Sequence, residues 1–178
     1  MNAPDTTLAS LYSSVRDIPD FPKPGIVFKD ITPLLADPAL FRSALDVMVA
    51  QWKAERIAKI VGIESRGFLL AAPLADRLGA GLVIVRKPGK LPYKTVSEEY
   101  ALEYGTDTLH LHADALSHGE RTLVVDDVLA TGGTASAVGR LAGRMGANVV
   151  GFAFLIELGF LKGAQKLNGA AMHAVLRY

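Results

Sequence analysis

The richest chemistry in the chain lies between Leu123 and Thr134. Leu123-Val124-Val125 is apolar, Asp126 and Asp127 are adjacent acids, and after Val128-Leu129 comes the turn Ala130-Thr131-Gly132-Gly133-Thr134. Glycines let successive backbone N–H groups point into one concavity. A helix beginning there adds partial positive charge, so a phosphate monoester is held with little help from cationic side chains. Thr131 and Thr134 add hydroxyl donors. Asp126 and Asp127 only accept hydrogen bonds when ionised, which suits the hydroxyls of a ribose or the waters around a magnesium ion. Donors for phosphate and acceptors for sugar stand side by side.

A second polar turn, Glu64-Ser65-Arg66-Gly67-Phe68, follows one apolar run and opens another. Arg66 suits bidentate pairing with pyrophosphate oxygens. By residue type alone this is equally a solvated strand-to-helix turn. Arg86, Lys87, Lys90 and Lys94 concentrate positive charge further on, as surface cations or as the counterpart of a phosphate. His110, His112, His118 and His173 show no metal-ligand spacing with nearby acids and read as structural or solvated. The signatures G-x-x-x-x-G-K-[ST], G-x-G-x-x-G after a strand, G-x-S-x-G and H-E-x-x-H do not occur, which removes support for kinase, dinucleotide, hydrolase and zinc chemistry.

Strands must carry these turns. Apolar runs predict strands over 57–63, 81–86 and 149–156 beside the one entering Asp126. Helical spacing predicts helices over 68–78, closed by Gly79, and over 135–145. Asp37-Pro38, followed by Phe41, Leu45, Met48 and Trp52, reads as an N-cap, a proline at the first position and an apolar stripe covering one sheet face. This β-α-β alternation predicts a Rossmann-like α/β fold, a mostly parallel sheet flanked by helices, with ligands at strand ends. Through about residue 36, Pro19, Pro22, Pro24 and Gly25 forbid regular helix and favour an extended path. Between 87 and 109 the pattern breaks into Pro, Gly, Lys, Glu and Tyr, a length usual for a lid or binding loop.

Composition bounds the rest. The 178 residues predict one domain. Half of them are apolar, and the net charge is +1. No global field draws the protein to nucleic acid or membrane. Cys is absent, which excludes disulfides and thiolate chemistry. No apolar run or leader predicts insertion or export, so a cytoplasmic protein is expected.

Two acids, a short spacer and a Thr-Gly-rich turn resemble the binding motif of the type I phosphoribosyltransferases. Asp20-Phe21-Pro22-Lys23-Pro24-Gly25-Ile26-Val27-Phe28-Lys29-Asp30-Ile31, Glu64 to Phe68, Arg86 to Pro92 and Leu102-Glu103-Tyr104-Gly105 follow the family's order, so the resemblance spans nearly the whole chain. It is closest to the members that act on adenine.

The resemblance implies one domain, 1–178, with an N-terminal hood over the base (about 1–36) and a flexible catalytic loop (about 87–109). It implies transfer of phosphoribosyl from phosphoribosyl pyrophosphate to N9 of adenine, giving AMP and diphosphate, in a homodimer. Ala130, Thr131, Gly132, Gly133 and Thr134 would hold the 5-phosphate, and Asp126 and Asp127 the ribose. Ser65, Arg66, Arg86, Lys87 and Lys90 would hold the diphosphate, and Val27, Phe28 and Lys29 the adenine. Mg²⁺ would be held mainly by substrate and water, without a protein ligand set. Members that take hypoxanthine, guanine or xanthine, the alternative reading, commonly carry an Asp where this chain has Ala130. That vacancy moves the proton work to Glu103.

Overall fold

The chain divides into two units, Met1–Val47 and Met48–Tyr178. The computed structural model describes residues 3–101 and 105–178. In the first unit, helix α1 (Ala3–Ser14) precedes an antiparallel pair, β1 (Arg16–Pro19) and β2 (Val27–Asp30), in which Ile18 faces Phe28. The short helix α2 (Thr32–Ala36) follows, and then α3 (Pro38–Trp52), whose last residues, from Met48, belong to the second unit. The extended path expected through residue 36 therefore holds only for its middle. The prolines that forbid helix sit at 19, 22 and 24, in and just after β1, and leave α1 and α2 free to form. As expected, Asp37 opens α3, its Oδ1 accepting the N–H groups of Ala39 at 2.8 Å and Leu40 at 3.0 Å.

The second unit is built on β3 (Lys59–Ile63), helix α4 (Gly67–Leu78) and β4 (Gly81–Val85). An antiparallel hairpin, β5 (Thr95–Ala101) and β6 (Thr106–His112), comes next. The chain continues through β7 (Arg121–Leu129), α5 (Gly133–Arg144) and β8 (Asn148–Glu157), two 3₁₀ turns (Gly159–Leu161 and Gly163–Leu167), and β9 (Met172–Arg177). The main sheet is parallel throughout, in the order β4-β3-β7-β8-β9. Gly79 closes α4 in the left-handed conformation, φ 65°, as its position predicted. Trp52 lies against β8 where Gly151 leaves room; a Cβ there would be 2.2 Å from the ring.

Much of the expected loop over 87–109 is the β5–β6 hairpin. Val96, Glu98 and Tyr100 share one face with Leu111, Leu109 and Asp107. Leu109, Leu111 and Tyr100 join the core formed by Val61, Val124, Val138 and Phe154. Glu98 interrupts the apolar alternation at a core-facing position, and Arg140 and Arg144 of α5 supply the compensating charges. No helix among the described residues is long and apolar enough to cross a membrane.

Candidate active site

In the order β4-β3-β7-β8-β9 the winding reverses between β3 and β7, because α4 carries the chain from β3 to β4 on one side and α5 carries it from β7 to β8 on the other. Open parallel sheets bind ligands at that reversal, beyond the strand ends. Both polar turns open there.

β7 does not stop before its acids. It runs through Asp126 and Asp127 to Leu129, with Asp126 beside Phe154 of β8, while its pairing with β3 ends at Val125. Consecutive strand residues project to opposite faces, so the two carboxyls are not equivalent. Asp126 lines a cavity of about 70 Å³ together with Ala130, Thr131, Gly132, Gly133 and Thr134. Asp127 is buried, and its Oδ2 lies 2.6 Å from Nε of Arg66 as a charge pair without hydrogen-bond alignment. Burial pushes both carboxyls up, Asp126 strongly, since the charge of Asp127 adds to it; Arg66 opposes the rise at Asp127.

The turn itself is shaped by close backbone contact. Gly132 takes φ 77°, and no side chain caps α5 behind it, which leaves the helix N-terminus to a ligand. A Cβ on Gly132 would fall 2.3 Å from the carbonyl oxygen of Gly163, and one on Gly163 would fall 2.2 Å from that of Ala130. The loop after β8 thus braces the turn. On the other side, a Cβ on Gly67 would stand 2.8 Å from Oδ1 of Asp126, so the start of α4 is pressed against β7.

The expected diphosphate cations gather at the ends of β3 and β4. Oε1 of Glu64 accepts Lys90 Nζ and Nη2 of Arg86, the latter at 3.3 Å, while Oε2 accepts the backbone N–H of Lys87 at 2.9 Å. Burial raises the Glu64 carboxyl, but these partners bring it down to about 2. Nζ of Lys87 pairs with Asp107 at 3.0 Å, a contact that raises the lysine and lowers the acid. Tyr100 donates to the same Asp107 at 3.4 Å and accepts from Thr134 at 3.4 Å. That chain joins the turn to Lys87. Ser65 is exposed at the head of α4.

In the first unit Val27 is half exposed, Phe28 meets Phe21 edge to face at 5.2 Å, and Lys29 pairs with Asp17 at 2.6 Å. Glu103 lies outside the described residues. A larger cavity of about 220 Å³, between α5 and β8, holds none of the expected site residues.

A reversal point with an uncapped helix, an acid in the same cavity and a bank of cations is the arrangement of a sugar-phosphate transfer site. The sequence model of the phosphoribosyl transferase domain matches residues 44–169. The chain belongs to the phosphoribosyltransferase family. An adenine phosphoribosyltransferase of an Anaeromyxobacter species is 63% identical over 171 residues, 96% of this chain and 97% of that protein. The crystal structure of the adenine phosphoribosyltransferase of Rhodothermus marinus superposes with a TM-score of 0.94 at 52% identity, covering 98% of this chain and 99% of that one. The Saccharomyces cerevisiae enzyme, crystallised with adenine and an imino-altritol bisphosphate, gives 0.92 at 38% identity over 97% of this chain and 99% of its own. The mostly parallel α/β sheet expected from the strand and helix pattern, and the phosphoribosyltransferase fold implied by the resemblance, are therefore the fold observed. Glu64, Asp107 and Gly163 were not anticipated. An acid at the end of a predicted parallel strand was a usable signal for Glu64; Asp107 and Gly163 had none, because their partners are distant in sequence.

Proposed function

We propose that this phosphoribosyltransferase moves the phosphoribosyl group of phosphoribosyl pyrophosphate onto N9 of adenine, releasing AMP and diphosphate. The observation that carries this reading is the shared cavity of Asp126 and the uncapped turn at the sheet's reversal point, beside the Glu64-held cations. High identity to enzymes named for adenine supplies the base.

In the reaction the bond from the sugar C1 to diphosphate breaks, the bond from C1 to N9 forms, and the N9 proton leaves. Amides and hydroxyls of Ala130 to Thr134 would fix the 5-phosphate. Asp126 and Asp127 would accept the ribose hydroxyls, and their charge would favour a sugar centre turning positive. Arg66, Arg86, Lys87 and Lys90, with Ser65, would take up the departing charge. Val27, Phe28 and Lys29 would read the base, and Glu103 would manage its proton.

Magnesium fits this donor set. Among the described residues no group of three or more His, Cys, Asp or Glu could cage a metal. Mg²⁺ commonly uses one or two carboxylates with substrate phosphates and water, and Asp126 is the carboxylate among the residues that line the cavity. When bound it supplies positive charge to the diphosphate. The single domain, the homodimer and the cytoplasmic location usual in the family belong to the same proposal.

The test is product formation: purified protein with adenine, phosphoribosyl pyrophosphate and Mg²⁺ should yield AMP and diphosphate in equal amounts. Absence of AMP would refute the reading.

A further inference from the structure

The reaction as proposed gives Glu64 no role, yet three groups of the diphosphate region converge on its carboxylate. Its side chain is only 9% exposed, whereas those of Arg86 and Lys90 are 32% and 46% exposed. The acid lies beneath and the cations above. Both cations share Oε1, and the Lys87 amide takes Oε2.

We propose that Glu64 is the positioning residue of the diphosphate cradle, fixing Arg86, Lys90 and the Lys87 backbone before the donor arrives. Two cations brought together repel one another, and the carboxylate between them cancels that repulsion while leaving the trio at a net charge of +1. Long cationic side chains lose rotamer freedom when they engage a ligand, a cost that prior anchoring removes. The carboxylate also competes with diphosphate for the same cations. Its burial decides between the two effects, because it holds the cations from below and leaves their outward side to the ligand. This inference rests on the proposed reaction and concerns only its leaving group.

The experiment compares wild type, Glu64→Gln and Glu64→Asp by steady-state kinetics and by calorimetric binding of inorganic diphosphate with Mg²⁺, with melting curves alongside. Glu64→Gln keeps the shape and the acceptor for Lys87 but loses the charge. Its KM for phosphoribosyl pyrophosphate should rise about tenfold, the size of one charge-assisted hydrogen bond, with the KM for adenine and the kcat at saturating donor within about twofold. Diphosphate binding should weaken in parallel, and Glu64→Asp should lie between the two. A donor KM that stays or falls, or a uniform decline in every constant with the melting temperature, would overturn the proposal. If wild type made no AMP the reaction would be wrong, and diphosphate binding would still decide the role of Glu64: weaker in Glu64→Gln supports it, equal refutes it.

Discussion

Nε of Arg66, in the turn after β3, stands 2.6 Å from Oδ2 of Asp127 on β7. The pair ties the two polar turns together across the reversal point of the sheet. One of its members is an expected diphosphate ligand and the other an expected ribose ligand, so in the proposed reaction donor binding would loosen a contact that also keeps a buried acid neutralised.

Arg66→Ala should therefore affect both binding and folding. The donor KM should rise by about tenfold or more. Stability should fall by about 1–2 kcal/mol, less than for a fully buried pair because the Arg66 side chain is 39% exposed. The pH dependence has a definite sign. Burial raises Asp127 in the folded state above its ordinary 3.8, so its protonated form favours folding, and that contribution is lost as pH rises through the raised value. Without Arg66 the loss is larger. The gap in melting temperature between wild type and Arg66→Ala should be small near pH 4 and widen toward pH 8; a gap that is constant or narrows would refute the pairing.

Gly163→Ala should distort the phosphate turn from outside it. The added Cβ would lie 2.2 Å from the Ala130 carbonyl oxygen and 2.9 Å from the Gly132 nitrogen, so backbone must move. A loss of about 1–3 kcal/mol in denaturant unfolding and a higher donor KM are expected. Unchanged values of both would show that the loop does not brace the turn.

How legible this was depended on whether the partners were near in sequence. Four of the five parallel strands, α4 with its Gly79 cap, and α3 with its Asp37 cap were readable because each signal is local; β9 was not read. The uncapped turn from Ala130 to Thr134 was readable for the same reason. The β5–β6 hairpin was not: Glu98 stands where an apolar residue would have completed the alternation, and its counter-ions, Arg140 and Arg144, are more than 40 positions away. α1 was hidden by generalising from Pro19, Pro22 and Pro24, which lie after it. The brace at Gly163 and the anchor of Lys87 on Asp107 are products of tertiary approach, for which single residues carry no mark.

Glu98→Gln should loosen the hairpin without touching the turn chemistry. Glu98 accepts Nε of Arg140 at 2.7 Å and Nη1 of Arg144, and Nη2 of Arg144 donates to the Ser97 carbonyl. Amide hydrogen exchange in β5 and β6 should quicken relative to the β3–β7 core, while the core itself stays protected. Uniform exchange rates across both would rule out a local strap.

Glu103→Gln should lower kcat far more than adenine affinity, since an amide cannot accept the N9 proton. A drop of about 10²–10⁴ in kcat is expected for a lost general base. An unaltered kcat would remove Glu103 from the proton transfer.

The central claim is the choice of base: adenine is proposed on the high identity to enzymes named for it, with Ala130 standing where, by the resemblance, enzymes for oxo-purines commonly carry an acid. It is tested most directly by kcat/KM for adenine, hypoxanthine, guanine and xanthine, measured in parallel with saturating phosphoribosyl pyrophosphate and Mg²⁺. Adenine should exceed every other base by about 10⁴ or more, the margin of a site whose hydrogen bonds fit one donor and acceptor pattern. Comparable turnover of hypoxanthine or guanine would contradict it.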